Sequence, residues 1–127
     1  MKHSILLVDD DPNLRDMLRT MLEMGGFAVV EAEDGLDALE KLEEITPDVL
    51  VLDVMMPNMD GVSLCKHLRS DAEFVSLPII MLSGKTQHQA VAEGMAAGAN
   101  CYLRKPITVE ELIRSVRELL PAPSPLN

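Results

Sequence analysis

Two acidic residues, Asp9 and Asp10, close the apolar run Ile5-Leu6-Leu7-Val8, and a third, Asp53, closes Val49-Leu50-Val51-Leu52. Both runs are short and apolar throughout, the pattern of strands buried on both faces of a parallel sheet. If the two strands are neighbours, the carboxylates converge at their C-terminal ends, the edge at which open α/β sheets bind ligands. Crowded carboxylates repel one another and resist ionising unless a cation joins them. An all-oxygen acidic cluster suits Mg²⁺, which takes few protein ligands and keeps several waters.

The elements that must position these acids follow from periodicity. A first strand spans about residues 4–8, and Asp11-Pro12 then supplies an N-cap and a proline at the first helical position. The helix runs to about Met24, with Leu14, Met17, Leu18, Met21 and Leu22 on one face, and Gly25-Gly26 ends it. The pattern predicts further strands over residues 28–32, 49–52, 78–82 and 101–103. It predicts helices over about 36–44, 62–70, 88–97 and 109–120, with Leu36, Leu39 and Leu42 marking the second. Pro57 through Gly61 read as a loop, and Ser83-Gly84 opens another. On the third helix Lys66, His67 and Arg69 read as a solvated face. Strands alternating with helices imply a parallel sheet covered on both sides, an α/β doubly wound architecture.

The 127 residues make one domain, with 47% hydrophobic side chains to fill its core. That core is aliphatic and methionine-rich: nine Met against two Phe, one Tyr and no Trp. A formal charge of −10 argues against a nucleic-acid surface, which needs a basic stripe. No run is long enough to span a bilayer, and Met1-Lys2-His3 leads directly into a strand without the pattern of a signal peptide. Cys65 and Cys101 fall in unrelated segments and read as free thiols in a reducing cytoplasm. The tail from Pro121 to Asn127 is too proline-rich to extend the last helix and reads as a linker or frayed end.

Four segments occur in order at strand ends: Leu7-Val8-Asp9-Asp10-Asp11, Leu52-Asp53 through Met55-Met56-Pro57 to Asp60-Gly61, Met81-Leu82-Ser83-Gly84, and Tyr102-Leu103-Arg104-Lys105-Pro106. With them the chain resembles a response-regulator receiver domain, the phosphoacceptor module of two-component signalling. The resemblance spans about residues 4–120, so that 1–120 is the receiver domain and 121–127 a tail or the start of a linker. It implies a five-stranded sheet in the flavodoxin-like order 2-1-3-4-5. By the same resemblance, Asp53 is the phosphoacceptor. Asp10, Asp53 and the Met55 carbonyl are Mg²⁺ ligands, and Asp9 acts through a water. Lys105 and Ser83 contact the phosphoryl group, as does the Gly84 backbone. Ser83 and Tyr102 form the switch, and the Lys105-Pro106 bond is cis. By the resemblance, Met55 and Lys85 occupy places whose residues influence how easily water reaches the phosphoryl group. The implied partners are a sensor histidine kinase or histidine phosphotransfer protein and a downstream effector, with room for a phosphorylation-dependent homodimer.

One departure stands out. A DNA-binding branch of the family carries a paired acid just before the strand-five aromatic, as a dimer contact; here Asn100 and Cys101 stand there. Competing classes fare worse. A flavin or nucleotide binder on this architecture needs a phosphate-cradling loop after the first strand, and Asp9-Asp10-Asp11 repels an anion. A Mg²⁺-dependent phosphatase with an aspartate nucleophile wants a second aspartate two residues on, where this chain has Met55. A phosphate sink, or a degenerate receiver serving only as an interaction module, is the remaining alternative, and the intact acids, Ser83 and Lys105 weigh against the degenerate form.

Overall fold

Residues 2–56, 58–84 and 88–121 are described by a computed structural model. Pro57, Lys85 and the proline-rich tail beyond Pro121 lie outside the described residues. Five strands, β1 (Ser4–Val8), β2 (Ala28–Ala32), β3 (Val49–Asp53), β4 (Ile79–Ser83) and β5 (Cys101–Arg104), form one sheet. They alternate with α1 (Pro12–Met24), α2 (Gly35–Glu44), α3 (Gly61–Arg69), α4 (His88–Ala97) and α5 (Val109–Leu119). All pairings are parallel and the strand order is β2-β1-β3-β4-β5, as expected.

Successive residues of a strand point to opposite faces, and the chain uses both faces for burial. Leu6, Val8, Leu50, Leu52, Ile79 and Met81 pack against α2, α3 and α4 residues such as Ala38, Leu42, Leu64 and Ala97. Ile5, Leu7, Val49, Val51, Ile80 and Leu82 face Leu18 and Leu22 of α1 and Leu112 and Val116 of α5. Each fully buried aliphatic side chain contributes about 2 kcal/mol, so the sheet can tolerate a destabilised acidic edge.

The helices start on side-chain caps. Asp11 Oδ1 accepts from the Asn13 and Leu14 amides, Asp34 Oδ1 from Asp37, Asp60 Oδ1 from Ser63, and Thr108 Oγ1 from Glu111. These bonds occupy amide groups that a helix start leaves without partners.

Three expectations about helix faces need correction. Met17 is 47% exposed and Leu36 51% exposed. The inward stripe of α1 is narrower than the periodicity suggested, and on α2 Ala38 takes the buried place. Arg69 does not belong to a solvated face. Its guanidinium donates to the carbonyls of Phe74, Val75 and Gly98 and to Asn100 Oδ1, at 2.8–3.2 Å. Lys66 and His67 are exposed, as expected. Cys65 is buried and Cys101 half-buried, both as free thiols.

Candidate functional site

Register brings the acids together. Leu7 lies beside Val51 and Val8 beside Leu52, so the chain leaving β1 emerges next to the last residue of β3, Asp53. Asp53 lies beside Leu82, and Ser83 beside Arg104. The ladder continues past the strands through Val54 N–H to the Leu82 carbonyl (3.0 Å) and Lys105 N–H to the Ser83 carbonyl (2.8 Å). Asp9, Asp10, Asp53, Ser83 and Lys105 therefore share one sheet edge.

Asp9, Asp10 and Asp53 each offer a carboxylate oxygen within 4.8 Å of the others. Asp9 and Asp53 are buried, at 1% and 5% exposure, and Ser83 is fully buried. Asp10 is exposed, at the outer side of the cluster. Lys105 Nζ lies 3.2 Å from Asp53 Oδ1 and 3.8 Å from Asp9 Oδ2.

Burial pushes the Asp53 carboxyl above its usual range. The charge and hydrogen bond of Lys105 and the Met55 amide pull the other way, and Asp10 adds a further upward push. Burial likewise raises Asp9, opposed by its bond from the Asp11 amide (2.9 Å to Oδ1) and reinforced by Asp53. In both, loss of hydration outweighs the single lysine.

Asp9 Oδ2 is buried and accepts no hydrogen bond among the described residues. A buried carboxylate oxygen without a donor is costly. Together with two more carboxylates in reach, it fits a hard divalent cation: the donor set is all oxygen and the charge surplus is negative.

The flanking loops are fastened from outside. Gly61 opens α3 so close to β3 that a Cβ there would come within 2.7 Å of the Asp53 carbonyl, which makes glycine the residue that lets the loop close. Asn58, with φ of 68°, donates from Nδ2 to Asp34 Oδ2 (3.0 Å) and so ties the loop after β3 to the start of α2. Arg15 of α1 donates from Nη1 to the Asp9 carbonyl (2.6 Å). Neither Asn58 nor Arg15 was singled out by sequence reasoning. The available signal for Arg15 was its place one turn after the Asp11 cap.

The other expected residues are distributed as follows. Gly84 is exposed just after β4. Met55 is 56% exposed beside the acids. Tyr102 is half-buried on β5 and packs against the α2–α3–α4 core. The Lys105-Pro106 peptide is cis, as expected. Asn100, standing where a paired acid was sought, accepts from the Ile79 amide (2.9 Å) and from Arg69. Among the described residues, no helix is long and apolar enough to cross a membrane.

The profile of the response regulator receiver domain matches residues 5–117. Response regulator MprA of Mycobacterium ulcerans is 44% identical over 120 residues, covering 94% of this chain and 51% of that protein. The chain thus spans about half the length of the curated relatives it matches. Among solved structures it is similar to chemotaxis protein CheY4 of Vibrio cholerae, with TM-score 0.89 and 34% identity over 94% of this chain and 100% of that one. It is also similar to the receiver domain of sensor histidine kinase PA1611 from Pseudomonas aeruginosa, which was solved with magnesium coordinated in its active-site cleft. There the TM-score is 0.87 at 29% identity, over 94% of this chain and 98% of that one. Fold, site geometry and sequence agree, and the chain belongs to the response-regulator receiver domains of two-component signalling.

Proposed function

We propose that this chain is a phosphorylation-activated switch that takes a phosphoryl group onto Asp53. The observation that carries the reading is the Lys105 ammonium 3.2 Å from the Asp53 carboxylate, at an edge where Asp9 and Asp10 bring further carboxylate oxygens within 4.8 Å. A nucleophilic carboxylate beside a cation and a metal-ready acid cluster suits phosphoryl transfer, in which catalysis is positioning and charge cancellation. Asp10, Asp53 and the Met55 carbonyl would hold Mg²⁺ directly, and Asp9 through a water. Bound there, the ion would offset negative charge on the transferring oxygens.

The donor is a phosphohistidine of a sensor kinase or a phosphotransfer protein. An Asp53 oxygen attacks phosphorus, the P–O bond forms as the P–N bond breaks, and the imidazole leaves with the electron pair. Lys105 would pair with one phosphoryl oxygen, and the Ser83 hydroxyl and the Gly84 amide would donate to others. There is no turnover of a diffusing substrate: the chain catalyses its own modification and the hydrolysis that reverses it. The setting is the cytoplasm, and the readers are downstream effector proteins or domains, a homodimer of the phosphorylated form among them.

The added group carries about −1.5 to −2 charges. Ser83 moves toward it and Tyr102 turns into the space vacated, so the signal appears on the face of α4, β5 and α5. To dominate, the phosphoryl group must favour that form by several kcal/mol.

Acetyl phosphate with Mg²⁺ should add one acid-stable, base-labile phosphoryl group, read by intact mass, and Asp53→Asn should abolish it. Phosphate retained by that variant overturns the assignment. Beryllofluoride should shift amide resonances from Ser83 to Arg104, and Lys105→Ala should uncouple this response. Shifts confined to the surroundings of Asp10 and Asp53 would instead favour a phosphate sink.

A further inference from the structure

Arg15 stands outside the acid cluster yet touches its backbone. Its Nη1 donates to the Asp9 carbonyl at 2.6 Å, and that carbonyl belongs to the peptide joining Asp9 to Asp10. The same guanidinium donates from Nε to Glu31 Oε1 at 3.2 Å. Glu31 in turn takes Nη1 of Arg19 on Oε2 at 2.6 Å. Glu31 sits on β2 directly beside Leu7 of β1, so the relay starts from the sheet. The Arg15 side chain is 19% exposed and Glu31 28%, which shields the pair from much of the solvent screening.

The Asp9 residue is thereby held at three points. Its N–H donates to the Ala32 carbonyl (3.2 Å), its Oδ1 accepts from the Asp11 amide, and its carbonyl accepts from Arg15. Rotation of the Asp9–Asp10 peptide would swing the Asp10 side chain relative to the buried carboxylates. A planar, forked guanidinium can satisfy a carbonyl and a carboxylate at once; an ammonium at the end of a lysine lacks this fixed fork.

We propose that Arg15 is a positioning residue for the cation site, fixing the peptide between the two acids, and that Glu31 aims it. This rests on the reading of the acid cluster as a Mg²⁺ site. Two effects of Arg15 oppose each other. Its positive charge disfavours a bound cation, whereas its hold on the Asp9 carbonyl favours one by keeping the ligands arranged. The sign of the change on removing it therefore separates a positioning role from an electrostatic or merely structural one.

The test is Mg²⁺ titration of the intact chain by calorimetry, together with acetyl phosphate labelling of Asp53 across a Mg²⁺ series. Arg15→Ala should weaken Mg²⁺ binding on the order of tenfold, as loss of a group that orients ligands does. Saturating Mg²⁺ should return the labelling rate to near wild type. Arg15→Lys should stay close to Arg15→Ala despite its charge, and Glu31→Gln should fall between them and wild type. Thermal melts report folding separately. Mg²⁺ affinity that is unchanged or tighter in Arg15→Ala overturns the inference, as does full rescue by Arg15→Lys or a wild-type chain that binds no Mg²⁺. If wild type binds Mg²⁺ in an Arg15-dependent manner but takes no phosphate on Asp53, the proposed function fails and this inference stands.

Discussion

The two ends of β3 carry the same residue type in opposite conditions. At the entry, Asp48 is exposed and accepts from the Ser4 amide at 2.7 Å and from the Ser4 hydroxyl at 3.5 Å. Nearby, Arg69 distributes its guanidinium over three carbonyls and Asn100 Oδ1, which fastens α3 to the chain leading into β4 and to the turn between α4 and β5. Gly98 completes that junction: its φ is 116° and a Cβ would come within 2.6 Å of Arg69 Cγ. At the exit, Asp53 is buried beside Asp9, whose Oδ2 has no hydrogen-bond donor among the described residues, with Lys105 set against both acids. At the entry edge Asp48 and Arg69 both find hydrogen-bond partners, although His3 Nδ1 there is buried without one among the described residues; the exit edge holds a surplus of negative charge. Polar groups at the first edge stabilise the fold, and those at the second are kept at a cost that a ligand can relieve.

Breaking the entry edge should have the largest effect. Arg69→Ala removes several charge-assisted hydrogen bonds and leaves carbonyls without donors, so stability should drop by about 3 kcal/mol. The urea midpoint should fall with an unchanged slope, while labelling of Asp53 under native conditions stays within about twofold of wild type. Loss of labelling without loss of stability would show that the two edges are not separable in this way.

The exit edge should respond in the opposite direction. Asp53→Asn, which on the proposed function should end phosphorylation, also removes a carboxylate whose burial outweighs its lysine. Without Mg²⁺ the variant should therefore be more stable than wild type, by about 1 kcal/mol. Asp10→Asn should give a smaller gain, a few tenths of a kcal/mol as expected of an exposed charge, together with weaker Mg²⁺ binding. A fall in stability in both variants, measured free of Mg²⁺, would refute the view of this edge as a repelling cluster.

The smallest effect is in pH. Asp9 and Asp53 have raised folded pKa values, so the native state binds protons more readily than the unfolded chain. Stability attributable to them falls as pH rises from the ordinary carboxylate range through those raised values. On going from pH 7 to 5, wild type should gain on the Asp9→Asn, Asp53→Asn double variant, and Mg²⁺ should suppress the trend. Asp37 acts the other way and in a lower window. Lys41 holds it below the ordinary range, so its contribution is lost only as pH falls further. A gap between wild type and double variant that does not change from pH 7 to 5 would rule out protonation of these two acids.

The sequence by itself determined the five alternating units, the parallel sheet and the family. Those follow from local rules: apolar runs short enough for strands, Asp11-Pro12 as a helix start, and acids, Ser83 and Lys105 each set where a strand ends. Strand order needed more than periodicity, and came from the resemblance. Only the tertiary structure decided which polar groups meet. With Lys66 and His67, Arg69 has the pattern of a solvated helix face, and only the fold brings Phe74, Val75, Gly98 and Asn100 around it. Met17 and Leu36 kept helical spacing but lie at the margins of their buried stripes, where the neighbouring element sets exposure. Arg15 shows the same limit at the site, since Glu31 lies sixteen residues away and becomes a neighbour only when β2 pairs with β1. Pattern is carried by adjacent residues, whereas burial and hydrogen bonding of a long side chain depend on distant segments that the chain brings together on folding.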